Sequence, residues 1–279
     1  MTFFETLAHA EKRNNSHLCI GLDPRLAQIP EHIRDNENAL FDFCVAIIDA
    51  TKDLASAYKP QIAYFAAEDQ CDVLKSLIQY IHDTTEIPVI LDAKRGDIET
   101  TTERYAVEAF EIYKADAVTA NPYLGLDGIK PFTAYADKGV FVLCKTSNPS
   151  AVQLQDCQLR DGQKLYEHVA KLATMEWNGH RNVGLVVGAT VPEEAFAVRE
   201  IVGQMPLLIP GVGAQGGSLD RIIAAAAGGG ILINSARAIN YAGSGDDFAE
   251  RARGAAMALR NEINETARQK NKAVFLSYT

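Results

Sequence analysis

Eight short apolar runs recur along the chain, at 17–22, 58–65, 88–91, 117–120, 140–144, 183–187, 206–209 and 230–233. They are apolar rather than alternating, the pattern of strands covered on both faces of a parallel sheet. Stretches with helical spacing lie between them. Over 39–54, Leu40, Phe43, Ile47 and Leu54 share a face, and over 101–113 Tyr105, Ala109 and Ile112 do so. Eight strand–helix repeats predict an α/β fold, a single (β/α)8 TIM barrel occupying residues 1–279 as one domain. An open doubly wound sheet is the alternative, weakened because no G-x-G-x-x-G follows the first run. The tail 268–279 is polar and then ends Ala-Val-Phe-Leu-Ser-Tyr-Thr, a segment expected to dock on the barrel or on a partner subunit.

Composition narrows the function. The 279 residues are 47% hydrophobic and 23% charged, as in a cored globule, and the formal net charge is −9. An acidic surface repels phosphate backbones, which argues against nucleic-acid partners, so an anionic substrate has to be caught by local donors. Cys19, Cys44, Cys71, Cys144 and Cys157 are odd in number and lack C-x-x-C spacing. Neither a zinc site nor a disulfide framework is expected, and four of the five thiols sit in apolar stretches and read as buried and inert. The chain shows no signal-peptide pattern and no apolar stretch of about 20 residues, so no membrane association and a cytoplasmic location are expected.

In a barrel, chemistry gathers where strands end. The third run continues Asp92-Ala93-Lys94-Arg95-Gly96-Asp97. Asp92 and Lys94 are two apart, so on an extended segment both face one side, and Lys59 from the second run can join them. Such an array favours the charged forms of all its members, although an ordinary rim ion pair has the same sequence. After the seventh run, Pro210 leads into a loop with Gly211, Gly213, Gln215, Gly216 and Gly217, where backbone N–H groups can converge on an anion. Arg237, after the eighth run, is placed to grip the same phosphate bidentately; a surface salt bridge is the alternative. Thr146, Ser147 and Asn148 suit the amide edges of a heterocycle, or equally a helix N-cap before Pro149. The six histidines have no metal-ligand spacing, and neither a metallohydrolase nor a nucleophile-elbow motif is present, so no metal or cofactor is expected.

The segment Asp92-Ala93-Lys94-Arg95-Gly96-Asp97-Ile98 resembles the D-x-K-x-x-D-I signature of the orotidine 5′-monophosphate decarboxylases, in the wording of their longer-chain bacterial subgroup. The likeness runs through Asp23, Lys59, the signature, Ser147, 210–217 and Arg237, in the family's order. It implies a carboxy-lyase that converts orotidine 5′-monophosphate to uridine 5′-monophosphate and CO2, the last step of de novo UMP biosynthesis. It further implies Lys94 as proton donor to C6, Asp92 beside the departing carboxylate, and Lys59 and Asp97 completing a Lys-Asp-Lys-Asp network. Asp97 and Thr101 would reach across a homodimer interface into the partner's site. Asp23 would bind a ribose hydroxyl, Thr146 or Ser147 the pyrimidine, and Pro210, Gln215, Gly216 and Arg237 the phosphate end.

Three rivals share parts of this pattern. A Mg²⁺-dependent sugar-phosphate lyase of the same superfamily typically has a glutamate on the second strand, where Lys59 would repel a metal. A Schiff-base aldolase needs a lysine of depressed pKa, which flanking aspartates oppose. A non-catalytic phosphate-binding barrel leaves the charged network without a purpose. The stretch 153–179 is longer than a minimal barrel needs and carries no assigned role.

Overall fold

The computed structural model describes residues 1–212 and 218–269. Eight parallel strands form one sheet: β1 (Leu18–Leu22), β2 (Ala57–Pro60), β3 (Ile90–Arg95), β4 (Ala117–Ala120), β5 (Gly139–Lys145), β6 (Val183–Val187), β7 (Leu207–Pro210) and β8 (Ile231–Ser235). β1 pairs with both β2 and β8, and the ladder continues from β8 down to β3. Between β2 and β3 only isolated parallel bridges, Tyr58 to Val89 and Gln61 to Asp92, close the ring. Helices run between the strands, and the whole is a (β/α)8 TIM barrel.

Two layers of packing follow from strand alternation. Outward residues such as Ile20, Val118, Val140 and Ile233 pack under the surrounding helices. Inward residues Cys19, Ala57, Ile90, Ala117, Phe141, Val186, Leu208 and Leu232 fill the barrel axis. The N-terminal helix Phe3–Asn14 adds Phe3, Phe4 and Leu7 to that inner cluster, and the Phe3 and Phe4 rings meet Phe141 edge-on at 5.8 and 5.9 Å. The inner positions above this floor are polar: Lys59, Asp92, Thr119 and Asn234 are all buried.

The predicted strands stand, with two local differences. The run 58–65 stops being strand at Pro60, because the Gln61 side chain accepts the Ala63 N–H (3.2 Å) and caps a short helix, Ile62–Ala66. The helix predicted over 101–113 begins at Glu99, and after Val107 it widens into a π-helical turn over Glu108–Ile112. The wider turn shifts the helical phase. Phe110 therefore faces the core at 4% exposure, whereas Ile112 points outwards at 50%. The thiols also split differently from expectation: Cys19, Cys44 and Cys144 are buried, but Cys71 and Cys157 are exposed.

Candidate active site

The charged residues of β2 and β3 meet at the C-terminal mouth of the barrel. Lys59 Nζ lies 2.6 Å from Asp92 Oδ2, and Lys94 Nζ lies 2.5 Å from Asp92 Oδ1. The Lys59 and Asp92 side chains are buried, while that of Lys94 is 44% exposed and faces the mouth. Burial alone would raise the Asp92 carboxyl, but the two ammonium groups outweigh it and hold the group well below the usual carboxylate range. Burial likewise opposes the charge on Lys59, yet Asp92 and then Asp23 outweigh it, and its ammonium is held above the ordinary lysine value. Asp92 is thus fixed as an anion between two cations.

Lys94 arrives by a route that simple alternation does not describe. Its φ is +48°, in the left-handed region, and the β3–β4 register shifts between Leu91 and Arg95. This bulge, rather than continuous extended chain, turns the Lys94 ammonium back to Asp92. A left-handed non-glycine residue costs about 1–2 kcal/mol and persists only where its surroundings enforce it. Thr119 of β4 supplies the enforcement. Its hydroxyl oxygen accepts the N–H of Ala93 (3.1 Å) and of Lys94 (2.9 Å), and its O–H donates to Asp92 Oδ1 (2.8 Å). Sequence reading passed over Thr119; the available signal was a lone hydroxyl in the otherwise apolar strand Ala117–Ala120.

Asp97 does not join this cluster within one chain. Its carboxylate accepts the neighbouring Ile98 N–H (2.7 Å), and it forms no ion pair among the described residues. The loop is held by Thr102, whose hydroxyl donates to the Asp97 carbonyl (2.6 Å), whereas Thr101 is exposed at the start of the helix Glu99–Val107.

The other expected groups that the structure describes follow the strand ends. Asp23 follows β1; its Oδ1 is buried without a hydrogen-bond partner, and burial raises its carboxyl despite Lys59. Its carbonyl accepts the Tyr241 hydroxyl (3.0 Å), which in turn accepts the Arg25 N–H (2.8 Å). Pro210 ends β7, opposite Asn234 of β8. Arg237 opens a short helix, Arg237–Asn240, is exposed, and its side chain pairs with no described residue. Gln215 and Gly216, with Gly213 and Gly217, lie outside the described residues.

Thr146 is held within the protein. The Thr146 N–H donates to Gln155 Oε1 (2.9 Å), and its hydroxyl donates to Asn148 Oδ1 (2.6 Å) while accepting from Gln155 Nε2 (2.8 Å). Asn148 precedes the 3-10 turn Pro149–Gln153 but its side chain caps nothing there. Ser147 packs against β6's end, where a Cβ on Gly188 would stand 2.8 Å from the Ser147 nitrogen. Among the described residues no group of three or more His, Cys, Asp or Glu is placed to hold a metal ion, and no helix is long and apolar enough to cross a membrane.

Comparison with known proteins bears directly on this arrangement. Residues 16–252 match the model of the "Orotidine 5'-phosphate decarboxylase / HUMPS family". The orotidine 5′-phosphate decarboxylase of Azoarcus sp. (strain BH72) is 54% identical over 268 residues, spanning 95% of this chain and 99% of the relative. That of Ralstonia pickettii (strain 12J) is 55% identical over 269 residues, spanning 95% and 99%. Among solved structures, Leishmania donovani OMP decarboxylase superposes with a TM-score of 0.82 at 40% identity, covering 95% of this chain and 98% of its own. With a family match across most of its length, and near-full-length relatives above half identity, the chain belongs to the orotidine 5′-phosphate decarboxylase family.

Proposed function

We propose that this chain, acting as one barrel unit in the cytoplasm, removes CO2 from orotidine 5′-monophosphate to give uridine 5′-monophosphate, without a metal or organic cofactor. The observation that carries the reading is the Lys59–Asp92–Lys94 array, with contacts of 2.6 and 2.5 Å at the barrel mouth. When the C6–carboxylate bond breaks, the electron pair stays in an sp² orbital that the pyrimidine ring cannot delocalise. A cation already in position is then the available stabiliser, and a preorganised one needs no rearrangement as charge develops. The Lys94 ammonium supplies it and passes a proton to C6, leaving a neutral amine that solvent reprotonates. Asp92, kept anionic by its two partners, stands beside the leaving carboxylate. Lys59 holds Asp92 and stays charged throughout.

Asp23 takes a ribose hydroxyl: its buried Oδ1 has no partner, and an O–H donor satisfies it. Arg237 takes the phosphate, with Pro210, Gln215 and Gly216 on the same side. Ser147 reads the pyrimidine edge, as its place after β5 suggests, while the amide and the hydroxyl of Thr146 bond to Gln155 and Asn148. Binding energy from the remote phosphate then helps assemble the charged site.

The same reading makes the protein a homodimer with shared sites, Asp97 and Thr101 serving the partner's nucleotide. Support comes from the surface beside Asp97, where Ile98 is 61% exposed, Tyr123 74%, and Leu124 and Leu126 41% each. Exposed apolar side chains near Asp97 suit an interface.

The test is the ultraviolet absorbance of orotidine 5′-monophosphate incubated with purified protein and excess EDTA. Loss of the substrate band with appearance of uridine 5′-monophosphate is expected. A folded protein that binds the product but leaves the substrate intact would overturn the reading, and activity only on adding Mg²⁺ would move it to the metal-dependent lyases.

A further inference from the structure

In the segment between β5 and the helix Leu165–Met175, Gln155 and Asp156 turn towards the end of β5. Lys145, the last residue of β5, is 2% exposed, and its Nζ lies 2.8 Å from each oxygen of Asp156. Lys164 stands on the other side of that carboxylate at 3.7 Å, and both ammonium groups lie over the Tyr166 ring, at 5.5 and 5.8 Å from its centroid. Gln155, next to Asp156, makes the paired hydrogen bonds to the Thr146 amide and hydroxyl. Two consecutive loop residues therefore grip two consecutive strand-end residues, and the next position along the strand end is Ser147. On the far side, the Gly188 N–H donates to the Lys145 carbonyl (2.8 Å), and the missing Cβ of Gly188 leaves just the room Ser147 occupies.

Stability does not account for this choice of residues. The Lys145 ammonium is stripped of water while the Asp156 side chain stays 21% exposed, and an apolar side chain of similar volume in place of a buried lysine commonly serves a fold as well or better. What an ion pair with two-point contact does supply is a defined geometry. Here the geometry is that of the backbone from Lys145 to Asn148, at the rim of the site.

We propose that Lys145, Asp156 and Gln155 are positioning residues for recognition of the pyrimidine: by clamping the chain on one side of Ser147, they set the Ser147 side chain and amide where the base is met. The proposal rests on the functional reading above, in which the base lies against Ser147. It gives the long 149–164 segment a purpose, that of a fixed buttress to the base-binding rim. None of the three residues touches the nucleotide; they act through Thr146 and Ser147.

The experiment compares wild-type protein with Lys145→Met, which keeps the stem length and removes the charge, and with Gln155→Ala, which leaves the Lys145–Asp156 pair intact. Decarboxylation rates are measured, together with calorimetric affinities for uridine 5′-monophosphate and for ribose 5-phosphate, which lacks the base. Misplacement of a binding group by about 1 Å costs up to about 100-fold. Both variants are expected to lose about 10- to 100-fold in kcat/KM and in uridine 5′-monophosphate affinity, with ribose 5-phosphate affinity kept within about twofold. Lys145→Arg is expected to recover part of the loss. Equal losses for both ligands would show a general scaffold, and unchanged kinetics in both variants would remove the role; either result overturns the proposal. If Lys145→Met does not fold, Gln155→Ala alone carries the comparison. Wild-type protein that leaves orotidine 5′-monophosphate intact defeats the functional reading, a result distinct from wild-type turnover with unaffected variants.

Discussion

Lys59 and Asp92 meet at 2.6 Å across the β2–β3 junction, where the barrel is closed by isolated bridges instead of a continuous ladder. The seam of the sheet is thus spanned by a charge pair belonging to the candidate site. Lys59→Met removes one of the two cations that keep Asp92 ionised, so the Asp92 carboxyl is expected to move up towards its ordinary value of about 3.9. A depressed folded pKa contributes stability above the unfolded value and loses it as pH falls through the folded one. In the variant the folded and unfolded values converge, so this contribution to acid loss shrinks and the acid limb becomes shallower than in the wild type. Breaking a buried pair typically costs about 3–5 kcal/mol, and losing preorganised charge about 10²–10³ in kcat. Thermal melts and kcat between pH 3 and 7 check it; an unchanged acid limb counts against the pairing.

Thr119→Val keeps the shape of the side chain but removes the donor to Asp92 and the acceptor for the Ala93 and Lys94 amides. Leaving such groups unsatisfied costs about 1–3 kcal/mol. The expected result is a lower melting temperature with a 10- to 100-fold drop in kcat, about the size of misplacing a catalytic group. Thr119→Ser should restore much of both, and a valine variant with normal kcat would mean that the Lys94 bulge is held by other contacts.

Asp23 has its carboxyl raised by burial, the reverse of Asp92. A raised carboxylate pKa destabilises the fold once pH exceeds the unfolded value, since the native state must then ionise a group that burial disfavours. Asp23→Asn is therefore expected to melt higher than wild type, with the gap widening as pH rises from about 4 towards neutrality. The same variant should bind uridine 5′-monophosphate more weakly, a trade of stability for binding. A gap that narrows with pH would reverse the sign assigned here.

Arg237 has no described side-chain partner to lose, so Arg237→Ala should leave folding stability within about 0.5 kcal/mol of wild type. Its effect belongs to the ligand: a charge-assisted bidentate contact accounts for about 1.5–3 kcal/mol, some 10- to 100-fold in affinity for the 5′-phosphate nucleotide. Uridine, without the phosphate, should bind both proteins alike. Equal weakening of nucleotide and nucleoside would take Arg237 out of the phosphate site.

If each site combines Lys94 of one subunit with Asp97 of the other, Lys94→Ala and Asp97→Ala chains are each inactive as homodimers. Equimolar mixing with subunit exchange gives mixed dimers with one intact site, so about one quarter of wild-type activity should return. Exchange without recovery would indicate sites built within a single chain.

Much of this architecture could be read from the residues because both-face burial leaves a plain mark. The apolar runs around β1, β4 and β6 map onto strands with little error, as does the Lys59, Asp92 and Lys94 cluster. Alternation also brought Asp92 and Lys94 together, though the contact is made through a bulge at Lys94 that a two-residue period does not contain. The π turn at Glu108–Ile112 escaped for a related reason: a phase change within a helix leaves no compositional trace. Thr119 and Gln155 were missed because their importance lies in partners 25–27 and 9 residues away, and local pattern carries no such information.

The aromatic floor formed by Phe3, Phe4 and Phe141 has a kinetic corollary. Among the described residues it fills the end of the barrel away from the charged mouth. In the proposed reaction, CO2 leaving C6 and the proton that recharges Lys94 then share a single passage, the one occupied by the nucleotide. On that proposal Lys94 is recharged only after traffic through that passage clears, which would tie the reset of the chemistry to product departure.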